Sequence, residues 1–188
     1  MRFGFVRVMG IVALLFIFQA GWAQVPGPYH KLAAEEFAGM TEVNNGDIIA
    51  YTNCFIDFNY RATSQKGIYH LTCDIHLIFN KDKSWINRKK VLSPTHLQGI
   101  LDHEQGHYTI AYMEQQELIR TVSQTRFDAN YQYEAANMFD RVHEKYKQLS
   151  LDYDDDTDHM RNQKQQLSWD AWFKKRLEYM PNMELAKR

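Results

Sequence analysis

The sequence predicts an α+β fold in which a small antiparallel sheet precedes a group of helices. Two patterns carry that expectation. Between residues 68 and 80, Tyr69, Leu71, Cys73, Ile75, Leu77 and Phe79 alternate with His70, Thr72, Asp74, His76, Ile78 and Asn80. That is the period of a strand with one apolar face. From Pro94 to about Arg126 no further proline interrupts the chain, and Leu97, Ile100, Leu101, Ile110, Ala111, Leu118, Ile119 and Val122 recur at helical spacing.

The elements are read in order. Residues 1–23 form a signal peptide: Arg2 and Arg7 are its basic region, VMGIVALLFIFQA its apolar region, and Gly21-Trp22-Ala23 its small-residue end. The apolar run is shorter than the roughly 20 residues of a spanning helix, so no stable membrane insertion is expected after cleavage. The expected domain is 24–188, exported to a periplasm or beyond the cell. A net charge of −1 lacks the basic excess that marks a nucleic-acid partner.

Residues 30–40 have helix-forming composition and end at the turn-prone Asn44-Asn45-Gly46. Residues 50–60 read as a strand whose apolar face holds Ala50, Cys54, Ile56, Phe58 and Tyr60. A loop around 63–67 folds it against the next strand. That hairpin places Cys54 nearly opposite Cys73, within disulfide range, in an exported chain where such a pair is oxidised. His70 and His76 fall on the polar face and read as surface residues.

Ser93 is a fitting N-cap before Pro94 and opens the long helix. A second helix is expected over 131–149, with Met138, Val142, Tyr146 and Leu149 on one stripe. The acidic run from Asp152 to Asp158 reads as a loop, and a last helix spans 167–180 with Trp169, Trp172, Phe173 and Leu177.

The long helix carries His103-Glu104-Gln105-Gly106-His107, an HExxH motif. Residues at i and i+4 share a helical face, so both imidazoles reach one Zn²⁺ ion. Glu104 sits beside them as the general base for a water attacking a carbonyl. Gly106 leaves room for a close neighbour. The expected fold is therefore zincin-like, and the expected activity is hydrolysis of amide bonds in a peptide or protein. A catalytic zinc takes about three protein ligands and keeps one open position.

The third ligand is open on spacing alone. Met113 stands where a histidine six residues after His107 would complete a longer motif, which removes that class. Glu134 on the second helix is a candidate, His143 on the same helix reads as a surface histidine, and His96 lies two turns before His103 and is too distant. The acidic run fails as a calcium loop, because Thr157 replaces the required glycine and Gln163 the terminal glutamate.

HEQGH followed by Tyr153-Asp154-Asp155-Asp156-Thr157-Asp158-His159 resembles a bacterial family whose members pair HExxH with a downstream YDxxTxHG. That family is read from its motifs as secreted zinc-dependent proteases and is formally a domain of unknown function. Met160 replaces the motif's final glycine. The resemblance implies His159 as third ligand beside His103 and His107. It also singles out Tyr153 as a phenol for the oxyanion, Asp154 as an acceptor orienting a ligand imidazole, and Thr157 as a brace for the loop. The alternative is a non-catalytic envelope protein whose zinc only joins helices, closed by a fourth ligand such as Asp156 or Glu134.

Overall fold

A computed structural model describes residues 29–41 and 48–180. The expected signal peptide and the Asn44-Asn45-Gly46 turn lie outside these residues. The architecture is α+β: two small antiparallel two-stranded sheets and three helices. Strand β1 (Ala50–Tyr51) pairs with β4 (Trp85–Ile86), and β2 (Cys54–Gln65) pairs with β3 (Ile68–Phe79). Helices α1 (Pro94–Gln124), α2 (Tyr131–Thr157) and α3 (Gln163–Glu178) follow. No helix among the described residues is long and apolar enough to cross a membrane.

The single strand expected over 50–60 breaks at Thr52-Asn53, and its first part turns to pair with β4. Asn53 is held there by its N–H donating to Ser84 Oγ at 2.9 Å. The apolar faces of β2 and β3 fall as the alternation predicts, with Ile56 opposite Leu77 and Phe58 opposite Ile75. The cysteine pairing does not. The turn is a tight two-residue one at Lys66-Gly67, both with positive φ, and the ladder runs to Gln65 opposite Ile68. Two positive φ values match the twist of a hairpin, and glycine supplies one of them without strain. This register sets Cys54 opposite Phe79 and Cys73 opposite Tyr60, and both thiols are free. They stand six residues apart along the ribbon, about 20 Å.

The helix expected over 30–40 is only a 3-10 turn at Ala34–Glu36. A single short helix is marginal in water, and side-chain contacts win here. Leu32 N–H donates to Gln105 Oε1 at 2.8 Å, and Glu36 pairs with Lys81 at 2.9 Å. Leu32 and Phe37 are buried against Ile86, Ile100 and Tyr108.

Helix α1 starts as expected, with the His96 N–H donating to Ser93 Oγ. Helix α2 runs two turns past Leu149 and takes in most of the acidic run. Acidic side chains are unfavourable near a helix C-terminus, but packing decides. Met138, Val142, Tyr146, Tyr153 and Thr157 form one buried stripe, and the last two are fully buried. They extend the main core, which α1, α2, α3 and the β2–β3 ribbon share. Thr157 Oγ1 donates to the Tyr153 carbonyl at 2.6 Å, so it braces a helix and not a loop. Asp158, His159 and Met160 then take positive φ in succession. Glycine at the last of these would carry no such strain. Helix α3 begins four residues earlier than expected, capped by Asn162.

Helices α1 and α2 approach closely where Tyr153 lies across Gly106. A Cβ at Gly106 would fall onto the Tyr153 ring and hydroxyl. Alanine gains about 1 kcal/mol in helix propensity over glycine. Overpacking a buried aromatic costs about 1–3 kcal/mol. Gly106→Ala is therefore expected to lower the melting temperature by several degrees. Trimming Tyr153 to leucine in the same chain should abolish the added penalty, measured as a double-mutant cycle. An unchanged or raised melting temperature in Gly106→Ala would refute the close packing.

Candidate metal centre

Antiparallel packing of α1 on α2 sets His103 beside Asp154, and His107 beside Ser150 and Asp154. One carboxylate oxygen, Asp154 Oδ1, lies 3.2 Å from His103 Nε2, 3.0 Å from His107 Nε2 and 3.2 Å from His159 Nδ1. His103, His107 and Asp154 offer ligand atoms all within 4.8 Å of one another.

The outer nitrogens of both α1 imidazoles are held from behind. Gln166, on α3, donates from Nε2 to the Tyr153 hydroxyl at 2.7 Å and to Asp170 Oδ1 at 2.8 Å. Its Oε1 is thereby left to accept from His103 Nδ1 at 3.2 Å. His107 Nδ1 lies 2.8 Å from Ser150 Oγ. Both Nε2 atoms consequently face inward, as a metal ligand requires. Gln166 and Ser150 were not foreseen from the sequence. Neither belongs to a motif, and each reaches its histidine only through tertiary packing.

Charge follows this geometry. Burial works to raise the Asp154 pKa, but the His103 and His107 hydrogen bonds and their charge outweigh it and hold the carboxyl well below its usual range. For His107, burial works to lower the pKa, while the Asp154 hydrogen bond and the charges of Glu104 and Asp154 raise it on balance. Glu104 is 3 % exposed, and its Oε2 is buried without a hydrogen-bond donor among the described residues. An uncompensated buried carboxylate costs several kcal/mol. A cation beside it removes that cost.

The donor set fits zinc. Zn–N bonds of about 2.0–2.1 Å in a tetrahedron put ligand atoms about 3.3 Å apart and imidazole centres about 5 Å apart. The His103 and His107 rings are 5.0 Å apart, and Asp154 Oδ1 matches the ligand spacing to both. The His159 ring is 6.5 Å from His103 and half exposed. Among the described residues Asp154 joins the two histidines in the cluster, and His159, which the resemblance implied as third ligand, stands half exposed beside it, 3.2 Å from that carboxylate.

Other expected residues lie elsewhere. The Tyr153 hydroxyl, expected to face the cleft, is fully buried and donates to the His103 carbonyl at 3.1 Å. The ring stacks on His103 at 4.8 Å. It supports the histidine and cannot meet an oxyanion from that position. Asp154 touches the inward nitrogens, not the outer ones that an orienting acceptor would hold. Asp156 Oδ2 accepts from Trp169 Nε1 at 3.0 Å. Glu134, twenty residues before Asp154, is about 30 Å away along α2, and accepts from Asp128 N–H. His143 pairs with Glu114, and His96 Nδ1 accepts from Leu92 N–H.

A cleft of about 400 Å³ opens over the cluster. Its floor is α1 from Ile100 to Glu114, one wall is α2, and the other is the segment from Ile48 to Thr52 with Cys54. Burial pushes the Cys54 thiol up to about 12, helped by the Glu104 charge, so it stays protonated near neutral pH.

The metal-free protein should show a distinctive pH profile. Because the folded pKa of His107 is raised, its contribution to stability is full below about 6.5 and is lost as pH rises through the raised value. Because the folded pKa of Asp154 is lowered, its contribution is present above about 3.9 and lost as pH falls through the lowered value. In chelator, the melting temperature should fall as pH rises through the raised His107 value, and Asp154→Asn should flatten that fall. An equal fall in Asp154→Asn would contradict the pairing.

Comparison with family models matches residues 31–160 to a bacterial protein family of unknown function, DUF922. The match takes in both sheets, α1, α2 and the turn through Met160. No curated protein and no solved structure matches the chain. With its strands, its HExxH helix and its acidic helix end all inside that match, the chain belongs to the bacterial DUF922 family.

Proposed function

We propose that the protein is a zinc-dependent peptidase, exported by its N-terminal segment, that hydrolyses amide bonds in peptide or protein substrates. One observation carries the reading: two imidazoles turn their Nε2 atoms onto the Asp154 carboxylate, their outer nitrogens already engaged, beside a buried glutamate whose Oε2 has no hydrogen-bond partner among the described residues. Structural ion pairs alone do not need that glutamate.

His103, His107 and Asp154 would hold the ion. When bound, zinc supplies a Lewis acid that lowers the pKa of a coordinated water to about 7. Glu104 accepts the proton of the attacking water as its oxygen bonds to the carbonyl carbon. It then delivers that proton to the leaving nitrogen, giving a carboxylate and an amine. The buried position of Glu104 keeps bulk water from competing for the proton. His159, at the rim, offers a donor to the oxygen of the attacked carbonyl, in the role that the resemblance implied for Tyr153. Gln166 and Tyr153 fix the orientation of His103.

Metal content and activity test separate parts of this reading. Purified protein should take up one zinc per chain, and His103→Ala and Asp154→Ala should lose it. His159→Ala should keep it, with reduced turnover. Gln166→Leu should weaken zinc affinity about 10–100-fold. Glu104→Gln should keep zinc and lose at least about 100-fold in kcat/KM. A protein that takes up no zinc, or a Glu104→Gln variant as active as wild type, would overturn the proposal. Loss of zinc in His159→Ala with retention in Asp154→Ala would restore His159 as the third ligand.

A further inference from the structure

The cleft extends past the metal cluster to a second polar group that hydrolysis does not use. Glu114 lies on α1 seven residues after His107, two turns or about 10 Å along the helix axis. It lines the same cleft and is 6 % exposed. Its Oε1 is 2.9 Å from His143 Nδ1, which is its single ion-pair partner among the described residues. Between His107 and Glu114 the α1 floor is apolar, formed by Ile110 and Ala111. Of the nearby cations, Lys147 also lines the cleft and pairs with Glu144, and Lys145 pairs with Glu117.

A nearly buried carboxylate in a cleft is costly unless compensated. Here compensation is partial. His143 is about half exposed and stacks on Phe139, with ring centres 5.7 Å apart. Burial raises the Glu114 pKa further than the His143 hydrogen bond and charge lower it. If the Asp154 and Glu104 charges are balanced by a divalent ion, Glu114 remains as the negative charge facing the cleft. The spacing has a meaning for an extended ligand. About 10 Å corresponds to three residues of extended chain at about 3.4 Å each.

We propose that Glu114, oriented by His143, is a specificity-determining subsite that recognises a basic side chain of an extended peptide lying along α1. This rests on the peptidase reading for the reaction, but the recognition itself needs only the cleft. A cation there adds to the partial compensation that the half-exposed His143 gives Glu114, whereas an acidic side chain adds like charge to a desolvated site. The apolar floor at Ile110 and Ala111 takes the aliphatic stem of a lysine while its head reaches the carboxylate.

Binding of a matched peptide series tests this without requiring turnover. One lysine is walked through each position of an otherwise neutral, end-blocked nonapeptide, with norleucine and glutamate versions at the same position. Affinities are measured by fluorescence anisotropy on zinc-loaded Glu104→Gln protein and again on metal-free protein. At one or two positions the lysine peptide should bind about tenfold more tightly than its norleucine match, and the glutamate peptide more weakly than either. Adding Glu114→Gln should reduce the lysine preference to within twofold. The wild-type ratio and its decline at high salt need no substitution at Glu114. A lysine preference unchanged by Glu114→Gln, no position that separates lysine from norleucine, or no measurable binding by any lysine peptide would overturn the subsite. A lysine preference in a protein that takes up no zinc would sink the peptidase reading and leave this one standing. Cleavage without a basic preference would do the reverse.

Discussion

The contact between Tyr153 and the Gly106 notch sets the rest of the site. It draws α2 onto α1 at the level of the HExxH motif, with the ring stacked on His103 and the hydroxyl on its carbonyl. From that contact the antiparallel register follows: Asp154 meets His103 and His107, Ser150 meets His107, and His143 meets Glu114. Four polar pairings along one seam come from a single aromatic fitted where a side chain is missing. Gln166 ties α3 to the same point through the Tyr153 hydroxyl. All three helices therefore meet behind the histidines, and the cleft lies in front.

The electrostatics of the seam have a common cause. Three carboxylates, from Glu104, Glu114 and Asp154, line one cleft, and the last two have imidazoles as close partners. In a low dielectric, such charges are held only by specific partners or by a cation. Asp154 has three imidazoles around it, Glu114 has one, and Glu104 Oε2 has no donor among the described residues. The gradient runs from a carboxylate among three imidazoles to one with an unpartnered oxygen. Three successive residues, Asp158 to Met160, take positive φ, and the last two line the cleft. Non-glycine residues in that region each store about 1–3 kcal/mol, and such strain collects where geometry is fixed for a purpose.

Much of this was legible in the chain because it depends on short-range spacing. The i and i+4 placement of His103 and His107, the Ser93-Pro94 start and the faces of the hairpin are properties of one helix or one strand, and the structure keeps them. What depended on neighbours was not legible. Hairpin register turned on whether the turn lay at Lys66-Gly67 or spread over five residues, and a shift of the turn separated Cys54 from Cys73. The acidic run read as a loop because charge argued against helix. The buried Tyr153 and Thr157 at i and i+4 argued for helix more strongly, and that is a statement about what covers them. Continuing the helix then turned Asp154 toward the histidines and carried His159 past the end, onto the rim. Gln166 and Ser150 carry no local signal at all, since an amide or a hydroxyl gains meaning only from the imidazole it reaches.

In the proposed function, α1 and the end of α2 build one zinc site with an open side toward the cleft. A crystal structure of the zinc-loaded protein, phased or checked at the zinc absorption edge, tests it most directly. A single anomalous peak is expected, bounded by His103 Nε2, His107 Nε2 and Asp154 Oδ1, with the fourth position facing Glu104 and free of protein atoms. A peak enclosed by four protein ligands would make the site structural, and the absence of any peak between these helices would contradict the account outright.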